Sequence, residues 1–197
     1  MSKTMVSDWR TLLGDAHWAL RASVAGVSRT AWDLPTPCTQ WTVAQVIQHA
    51  TGDQIGYAAS ITGGPPPAED PFAPNGRLDD DPNSIVDRAL KRSAGAWEIV
   101  ADDAEEVPNP LPQGPMPAWL AAGACALDAG VHAWDIAVAT GQPSPLTDAT
   151  AESLMIVATE IVEPLRAYGA YAPELRGASD PTGILLTYLG RRPDWQP

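Results

Sequence analysis

The sequence predicts an all-α protein, a four-helix bundle with extra C-terminal helices and proline-rich connecting loops. Apolar residues recur at spacings of three, four and seven along several long segments, which is typical of helices that bury one face. Signals for helix starts and ends flank these segments. No segment of useful length alternates apolar and polar residues, as a half-buried strand would. At 197 residues the chain is long enough for a substantial core, and we expect residues 1–197 to form a single domain.

The first two helices are predicted on either side of a turn. The first covers residues 5–27, where tryptophan, leucine and valine recur with helical spacing. Residues 32–40 contain two prolines and are expected to form a turn, because proline disfavours helix in the residue before it. Thr42 and Gln45 have the spacing of a capping box, so a second helix is predicted to start there and to run to about Ile61.

Two proline-rich segments are predicted to connect helices. Residues 63–82 combine prolines with a cluster of acids, a composition that excludes a helix or a central strand. This segment is longer than most loops and is either a lid or a disordered excursion. A helix is predicted to resume at Asn83 or Ser84 and to continue to about Ala104. Residues 107–117 form the second proline-rich connection.

The C-terminal half contains two further long helices. One is predicted from about Pro117, a residue favoured in a first helical turn, to Gly141, a good C-terminal cap. Another is predicted over Thr147–Ala167, interrupted near its end by Pro164. The apolar run Ile184–Leu189 follows as a short addition. Together these elements give the bundle of the prediction.

Composition limits the classes of partner. The formal net charge of −12 argues against nucleic acid and against an anionic membrane surface, because both require basic patches. Cys38 and Cys125 are the two cysteines, so no disulfide framework and no CxxC metal motif is expected. The N-terminal residues lack the pattern of a signal peptide. We therefore expect a cytoplasmic protein with a small-molecule substrate, as a monomer or a homodimer.

The predicted fourth helix carries three ionisable residues in an apolar sequence. Asp128 and His132 are four residues apart and lie on one helix face, and Asp135 follows on the same side. Carboxylates and imidazoles inside a bundle must be paired or must bind metal. With His49 from the second helix, Asp128 and His132 would give three ligands and an open coordination position, as in catalytic zinc sites. Fe²⁺, Ni²⁺ and Co²⁺ suit the same ligands.

Simpler interpretations of these residues stay open. Asp128 and His132 can form an ion pair within one helix. His17 is expected to be a hydrogen-bonded core histidine, although it could line a pocket. Cys125 is expected to be a small buried residue. Cys38, in the turn before the second helix, could approach the site but is more simply structural.

The neighbours of His49 are candidates for supporting it. Gln45 and Asp53 lie four residues before and after it on the same helix face, so either could form a hydrogen bond to its ring. Trp41 and Trp134 are expected in the core or in a pocket wall.

Two motifs resemble a known family. Residues 36–54, TPCTQWTVAQVIQHATGDQ, and residues 127–141, LDAGVHAWDIAVATG, are similar to the two signatures of the mycothiol-dependent maleylpyruvate isomerase N-terminal group of the DinB superfamily. Residues 171–195 resemble the tail of its single-domain metal-binding members. The resemblance implies a DinB-like bundle over nearly the whole chain.

The resemblance also implies a ligand set. His49, Asp128 and His132 correspond to the metal ligands, with Zn²⁺ foremost among the divalent metals. The isomerase has glutamate where this chain has Asp128, so the shorter side chain must approach the metal more closely or bind it differently. Asp135 belongs to the second motif, and it either orients His132 or forms a salt bridge at the helix end.

The implied activity depends on a thiol. A metal-dependent enzyme of this group uses a low-molecular-weight thiol such as mycothiol or bacillithiol, for S-transfer to a small electrophilic metabolite or for its isomerisation. The additional C-terminal domain of the isomerase itself is not expected here. Two alternatives stay open. One is thiol-independent hydrolase, lyase or cyclase chemistry at the same metal. The other is a metal-binding bundle without enzymatic activity.

Overall fold

A computed structural model describes residue 6 and residues 8–196. In this part of the chain there are six α-helices, and the only β-type pairings are two isolated bridges, Pro35 with Thr42 and Val107 with Met116. The helices are α1 (Trp9–Ala25), α2 (Val43–Thr62), α3 (Pro82–Glu98), α4 (Ala118–Ala139), α5 (Asp148–Arg166) and α6 (Pro181–Tyr188). The predicted all-α class is confirmed.

The first four helices form the bundle. α1 packs on α3 and α4, and α2 also packs on α3 and α4. Each of the four helices therefore has two neighbours within the bundle. α5 packs on the outer side of α4, and α6 packs on α5. This is the predicted four-helix bundle with additional C-terminal helices.

α4 is the central helix because α1, α2 and α5 all pack against it. Of its 22 residues, only Asp128 and Val138 are not fully buried. A helix that is covered on every side needs apolar residues all round, which explains its uniform sequence. Gly123 allows α5 to come close, since a side chain there would have its Cβ 2.4 Å from a methyl group of Val157. Among the described residues, no helix has the length and apolar character needed to cross a bilayer.

The predicted capping box at α2 is confirmed. The Thr42 amide donates to Gln45 Oε1 at 2.9 Å, and the Gln45 amide donates to Thr42 Oγ1 at 3.4 Å. Gly63 ends the helix with φ of +67°, a conformation that glycine adopts without steric cost. Because α2 starts at a fixed residue, His49 has a defined place in its second turn.

One predicted helix end and one predicted helix interruption were wrong. α3 ends at Glu98 and not near Ala104, because Arg10 of α1 donates to the carbonyl of Trp97 at 3.1 Å and to that of Val100 at 2.6 Å. A guanidinium on the last carbonyls terminates a helix well. Pro164 lies inside α5 and does not interrupt it. In the last turn, proline removes one backbone hydrogen bond but has little helix left to break.

The predicted start of the first helix was placed four residues too early. α1 begins at Trp9, after Asp8, whose carboxylate accepts from the Thr11 amide at 3.0 Å. Residues 5 and 7 of the predicted range lie outside the described part of the chain. The predicted helix-free connection 63–82 contains no helix up to residue 81, but α3 begins at its last residue, Pro82, and not at Asn83 or Ser84. That residues 1–197 form one domain stays a prediction.

Candidate metal centre

Three ionisable side chains meet between α2 and α4. Asp128 Oδ1 lies 3.2 Å from His49 Nε2 and 3.4 Å from His132 Nε2. One potential ligand atom from each of the three residues lies within 4.8 Å of the other two. We call these residues the His–Asp–His cluster. The structure thus brings together the three residues that the sequence singled out as metal ligands.

The two distances from Asp128 to the imidazoles suit a metal ion. Two atoms bound to one tetrahedral zinc ion, each about 2.0–2.2 Å from it, lie roughly 3.3–3.6 Å apart. The two contacts of Asp128, at 3.2 and 3.4 Å, are close to this range. The shorter aspartate side chain therefore reaches both imidazoles. That the three residues bind a metal stays a prediction, because the same distances fit an ion pair.

Each imidazole makes a hydrogen bond through Nδ1, and its Nε2 is directed into the cluster. His49 Nδ1 lies 2.8 Å from the carbonyl oxygen of Pro71, and His132 Nδ1 lies 2.9 Å from Asp135 Oδ2. Both oxygens can only accept, so each Nδ1 carries a proton and donates it. In the neutral form, Nε2 of each ring then has a free lone pair. This is the usual state of histidines that bind metals through Nε2.

Asp135 connects His132 to the C-terminal segment. Arg191, which follows α6, donates from Nε to Asp135 Oδ1 at 2.9 Å and from Nη2 to Oδ2 at 2.8 Å. Both side chains are buried. Asp135 therefore contacts His132 and also forms a salt bridge with Arg191, whereas its role in orienting a metal ligand stays a prediction. Sequence reasoning missed Arg191, which is 56 residues away and has no local signal.

One oxygen of the cluster has no partner. Among the described residues, Asp128 Oδ2 and the indole nitrogen of Trp97 are the only buried side-chain nitrogen or oxygen atoms without a hydrogen bond. A buried carboxylate oxygen without a partner costs about 1–3 kcal/mol or more. The other oxygen of the same carboxylate, Oδ1, lies 3.2 and 3.4 Å from the two imidazole nitrogens, so a cation bound between the imidazoles would lie next to this carboxylate. Donor type and this orphaned oxygen both fit a divalent metal.

The charges of the cluster depend on one another. Burial alone would lower the pKa of His49, but the hydrogen bond and the charge of Asp128 raise it to about 9. Burial would raise the pKa of Asp128, yet the positive charges of His132 and His49 hold it below its usual value. The pKa of Asp135 is likewise lowered against the effect of burial, mainly by Arg191. Without metal, His49 therefore carries a proton that a metal must displace.

The predicted side-chain partners of His49 do not bind its ring. Gln45 is occupied by the capping box and by the carbonyl of Pro74, to which its amide donates at 2.9 Å. Asp53 makes no hydrogen bond to the ring, whose Nδ1 is taken by Pro71. Burial and the nearby charge of Asp128 raise the pKa of Asp53 to about 7. The backbone partner was missed because it comes from the connection between α2 and α3.

Aromatic rings surround the cluster. The Trp41 ring centroid lies 4.5 Å from that of His49 and 6.2 Å from that of His132. Phe72 lies against His49 at 5.6 Å and is 65% exposed. Trp41 is therefore a wall of the site, as predicted.

Burial raises the pKa of the Cys38 thiol to about 11, although Arg191 acts in the opposite direction, so Cys38 is not a thiolate at neutral pH.

His17 belongs to a different buried cluster. Gln54 Oε1 accepts from His17 Nε2 at 2.8 Å, from Ser93 Oγ at 2.9 Å and from Cys125 Sγ at 3.1 Å. Gln54 Nε2 donates to the Cys125 carbonyl at 3.1 Å. We call these four residues the polar core cluster, which joins α1, α2, α3 and α4. His17 is thus the hydrogen-bonded core histidine of the prediction, and Cys125 is buried as expected.

The fold and the site together define a helical bundle with a His–Asp–His cluster between two of its helices. A family model described as the mycothiol maleylpyruvate isomerase N-terminal domain matches residues 13–137. The chain belongs to this family. The matched region contains the whole His–Asp–His cluster and Asp135, whereas Arg191 lies beyond it. The family resemblance of the sequence is confirmed.

Individual relatives agree with this assignment. An uncharacterized protein of Mycobacterium tuberculosis, found in strains CDC 1551 and H37Rv, is 33% identical over 153 residues, which is 76% of this chain and 76% of the relative. Among solved structures, a mutant of the mycothiol-dependent maleylpyruvate isomerase is similar with a TM-score of 0.58. That likeness covers 85% of this chain and 72% of the other at 17% identity, so it supports the fold.

Proposed function

We propose that the protein is an enzyme that binds a divalent metal, Zn²⁺ foremost, through His49, Asp128 and His132, and uses a low-molecular-weight thiol such as mycothiol. The reaction is S-transfer to a small electrophilic metabolite, or its isomerisation. The observation that carries the metal proposal is the Asp128 carboxylate. Its Oδ1 lies 3.2 and 3.4 Å from two imidazoles that are held by their Nδ1 atoms, and its buried Oδ2 lacks a hydrogen-bond partner. Membership of the mycothiol maleylpyruvate isomerase N-terminal domain family supports the choice of thiol.

The three residues of the cluster contribute different ligand atoms and charges. Asp128 supplies the negative charge, and His49 and His132 supply neutral nitrogen donors. These three residues would hold a divalent metal, which would supply a Lewis acid that lowers the pKa of a thiol or water next to it. Asp135 and the Pro71 carbonyl keep the Nδ1 protons in place, so both rings present Nε2. Trp41 covers the imidazoles on one side.

The proposed chemistry is an addition. The thiol loses its proton to solvent, and its sulfur forms a bond to one carbon of a double bond conjugated with a carbonyl group; the π bond breaks and its electron pair moves to the neighbouring carbon and the carbonyl. In S-transfer the new carbon–sulfur bond is kept, and the neighbouring carbon takes up a proton from solvent. In isomerisation the adduct rotates about the former double bond, the double bond re-forms as the carbon–sulfur bond breaks, and the departing thiolate takes up a proton, so the thiol is released unchanged. Both outcomes need the thiol, and only the second regenerates it.

The metal assignment can be tested directly. Metal analysis of the purified protein should find about one divalent ion per chain, and His49→Ala and His132→Ala should each lose it. His17→Ala is a suitable control, because it removes a buried histidine from the polar core cluster and should keep the metal. Stoichiometric metal in all the variants would contradict the assignment of the ligands.

The reaction can be tested with mycothiol and maleylpyruvate as the first thiol and the first electrophile. Turnover should require the metal-loaded protein and added thiol together. Turnover without thiol would contradict the thiol mechanism and favour hydrolase, lyase or cyclase chemistry. A metal that is bound with all positions filled by protein, and no turnover with a wider set of unsaturated oxo acids, would favour a non-enzymatic bundle.

A further inference from the structure

The connection between α2 and α3 lies along α2 at the His–Asp–His cluster. We call residues 70–76 the docked segment. The side-chain Nε2 of Gln45 donates to the Pro74 carbonyl at 2.9 Å, and Gln48 Oε1 accepts from the backbone amide of Gly76 at 2.9 Å. Gln48 also donates to the side chain of Asn75 at 3.3 Å. Side chains from one face of α2 thus hold the far end of the segment.

The near end of the docked segment carries the contact with His49. Asp70 forms a turn, because its carboxylate accepts from the Phe72 amide at 2.9 Å and its carbonyl accepts from the Ala73 amide at 3.1 Å. This turn presents the Pro71 carbonyl to His49 Nδ1 at 2.8 Å. The ring of the next residue, Phe72, lies against the same imidazole. The docked segment therefore supplies the hydrogen bond to Nδ1 and one of the aromatic contacts of the His49 imidazole.

Gly52 makes room for this arrangement. It lies on α2 three residues after His49, is buried, and faces Pro71. A Cβ atom built on Gly52 would lie 2.8 Å from Pro71 Cβ, closer than two carbon atoms can approach. The proline ring is rigid, so the segment would have to move. Helix propensity alone would favour alanine at this position, and the glycine is explained by the close approach.

We infer that Gly52 is a positioning residue, whose missing side chain seats Pro71 on α2 so that the Pro71 carbonyl fixes the His49 imidazole with Nε2 directed at Asp128. The inference rests on the proposed function only in that His49 is taken as a metal ligand. The contact itself exists with or without a metal. Loss of a hydrogen bond behind a ligating histidine typically weakens metal affinity by about 10–100-fold.

The test compares two glycine-to-alanine substitutions on one helix. Gly52→Ala adds a methyl group against Pro71, whereas at Gly56, one turn later, the nearest atom to an added Cβ is 3.9 Å away. Zinc affinity is measured by competition with a chromophoric chelator. The His49 Nδ1 proton is observed by NMR of ¹⁵N-histidine-labelled, metal-free protein and is assigned by its absence from His49→Ala. Gly52→Ala should weaken zinc binding about 10–100-fold and speed exchange of this proton, and Gly56→Ala should change neither.

A double variant isolates the contact. Pro71→Gly removes the Cβ atom, after which the nearest Pro71 atom to the added methyl group is Cα, at 3.5 Å. We expect Gly52→Ala to have little further effect in a chain that already carries Pro71→Gly, since coupled sites are non-additive. An equal effect of Gly52→Ala with and without Pro71→Gly would overturn the inference. So would unchanged zinc affinity and proton exchange in Gly52→Ala.

The remaining outcomes also decide the matter. If Gly52→Ala alone fails to fold, a folded double variant supports the inference, and an unfolded double variant overturns it because the methyl group is then excluded by something other than Pro71. If the wild-type protein binds no zinc, the proposed function fails. The exchange of the His49 proton in metal-free protein still tests the positioning by Gly52.

Discussion

The His–Asp–His cluster and the polar core cluster lie in the same bundle, and both contain buried histidines. In the polar core cluster, Gln54 Oε1 accepts from three donors and its amide donates to a carbonyl. None of its four side chains has a buried nitrogen or oxygen without a partner. In the His–Asp–His cluster, by contrast, Asp128 Oδ2 is buried and has no hydrogen-bond partner. One cluster is closed by its own hydrogen bonds, and the other is not.

We expect such a difference between a cluster that only stabilises the fold and one that binds a ligand. A fully satisfied polar network stabilises a unique packing of the helices that contribute to it. A buried carboxylate that lacks a partner costs free energy, and such a cost is expected where a ligand is to be bound. Burial of a histidine alone would not have distinguished the clusters, since His17 and His132 are each 7% exposed. The Asp128 Oδ2 atom without a partner does distinguish them.

The largest effect is expected from Asp128→Asn, which tests whether the open cluster is a metal site. Asparagine has the same shape but lacks the charge that holds a divalent cation. Zinc affinity should fall by more than the roughly 10–100-fold typical for the loss of a partner behind a ligand. Metal analysis and chelator competition measure this. Ser93→Ala, a substitution in the polar core cluster, should keep the metal; equal zinc affinity in both variants would erase the distinction between the clusters.

Gln54→Leu tests the closed cluster. It leaves the donors of His17, Ser93 and Cys125 without their acceptor, and each unsatisfied buried group costs about 1–3 kcal/mol. The free energy of unfolding, measured by urea denaturation, should fall by about 3–5 kcal/mol, whereas Ser93→Ala should cost only about 1 kcal/mol. Zinc binding should persist in Gln54→Leu. A loss below about 1 kcal/mol would show that this network does not stabilise the bundle.

The acid sensitivity of the closed cluster comes next. The pKa of His17 is lowered to about 4, mainly because the side chain is buried. In the unfolded chain this histidine takes up a proton near pH 6.5, and in the folded protein only near pH 4. The stability it contributes is therefore complete above pH 6.5, and about 3 kcal/mol is lost as the pH falls to 4. The free energy of unfolding, measured by urea denaturation at several pH values, should depend less steeply on pH in His17→Gln than in the wild-type protein. An equal pH dependence in the two proteins would contradict the lowered pKa of His17.

The smallest effect concerns the side of the open cluster that holds His132. Asp135→Asn keeps an oxygen that can accept from His132 Nδ1 but removes the charge that Arg191 pairs with. Zinc affinity should fall by about 10–100-fold, measured by chelator competition after folding is checked by circular dichroism. Asp194→Asn, which changes an exposed carboxylate paired with Arg192, is the matched control. Equal affinities in the two variants would show that Asp135 has no influence on the metal site.

Local sequence predicted the helices and part of the site. Thr42 and Gln45 marked the start of α2 because a capping box involves residues only three positions apart. Asp128, His132 and Asp135 were placed on one side of α4 because helical spacing determines which residues share a face. The end of α3 was predicted wrongly because it depends on Arg10, which is 87 residues from the Trp97 carbonyl it contacts.

The sequence by itself determined the all-α class, the order of the helices and the pairing of Asp128 with His132 within one helix. It also offered His49 as a third ligand, which the family resemblance supported. Only the tertiary structure decided what holds these residues, namely the Pro71 carbonyl behind His49, Arg191 behind Asp135 and Gln54 at the centre of the other cluster. The reason is physical. Helical periodicity fixes directions within one element, whereas contacts between elements depend on how the whole bundle packs.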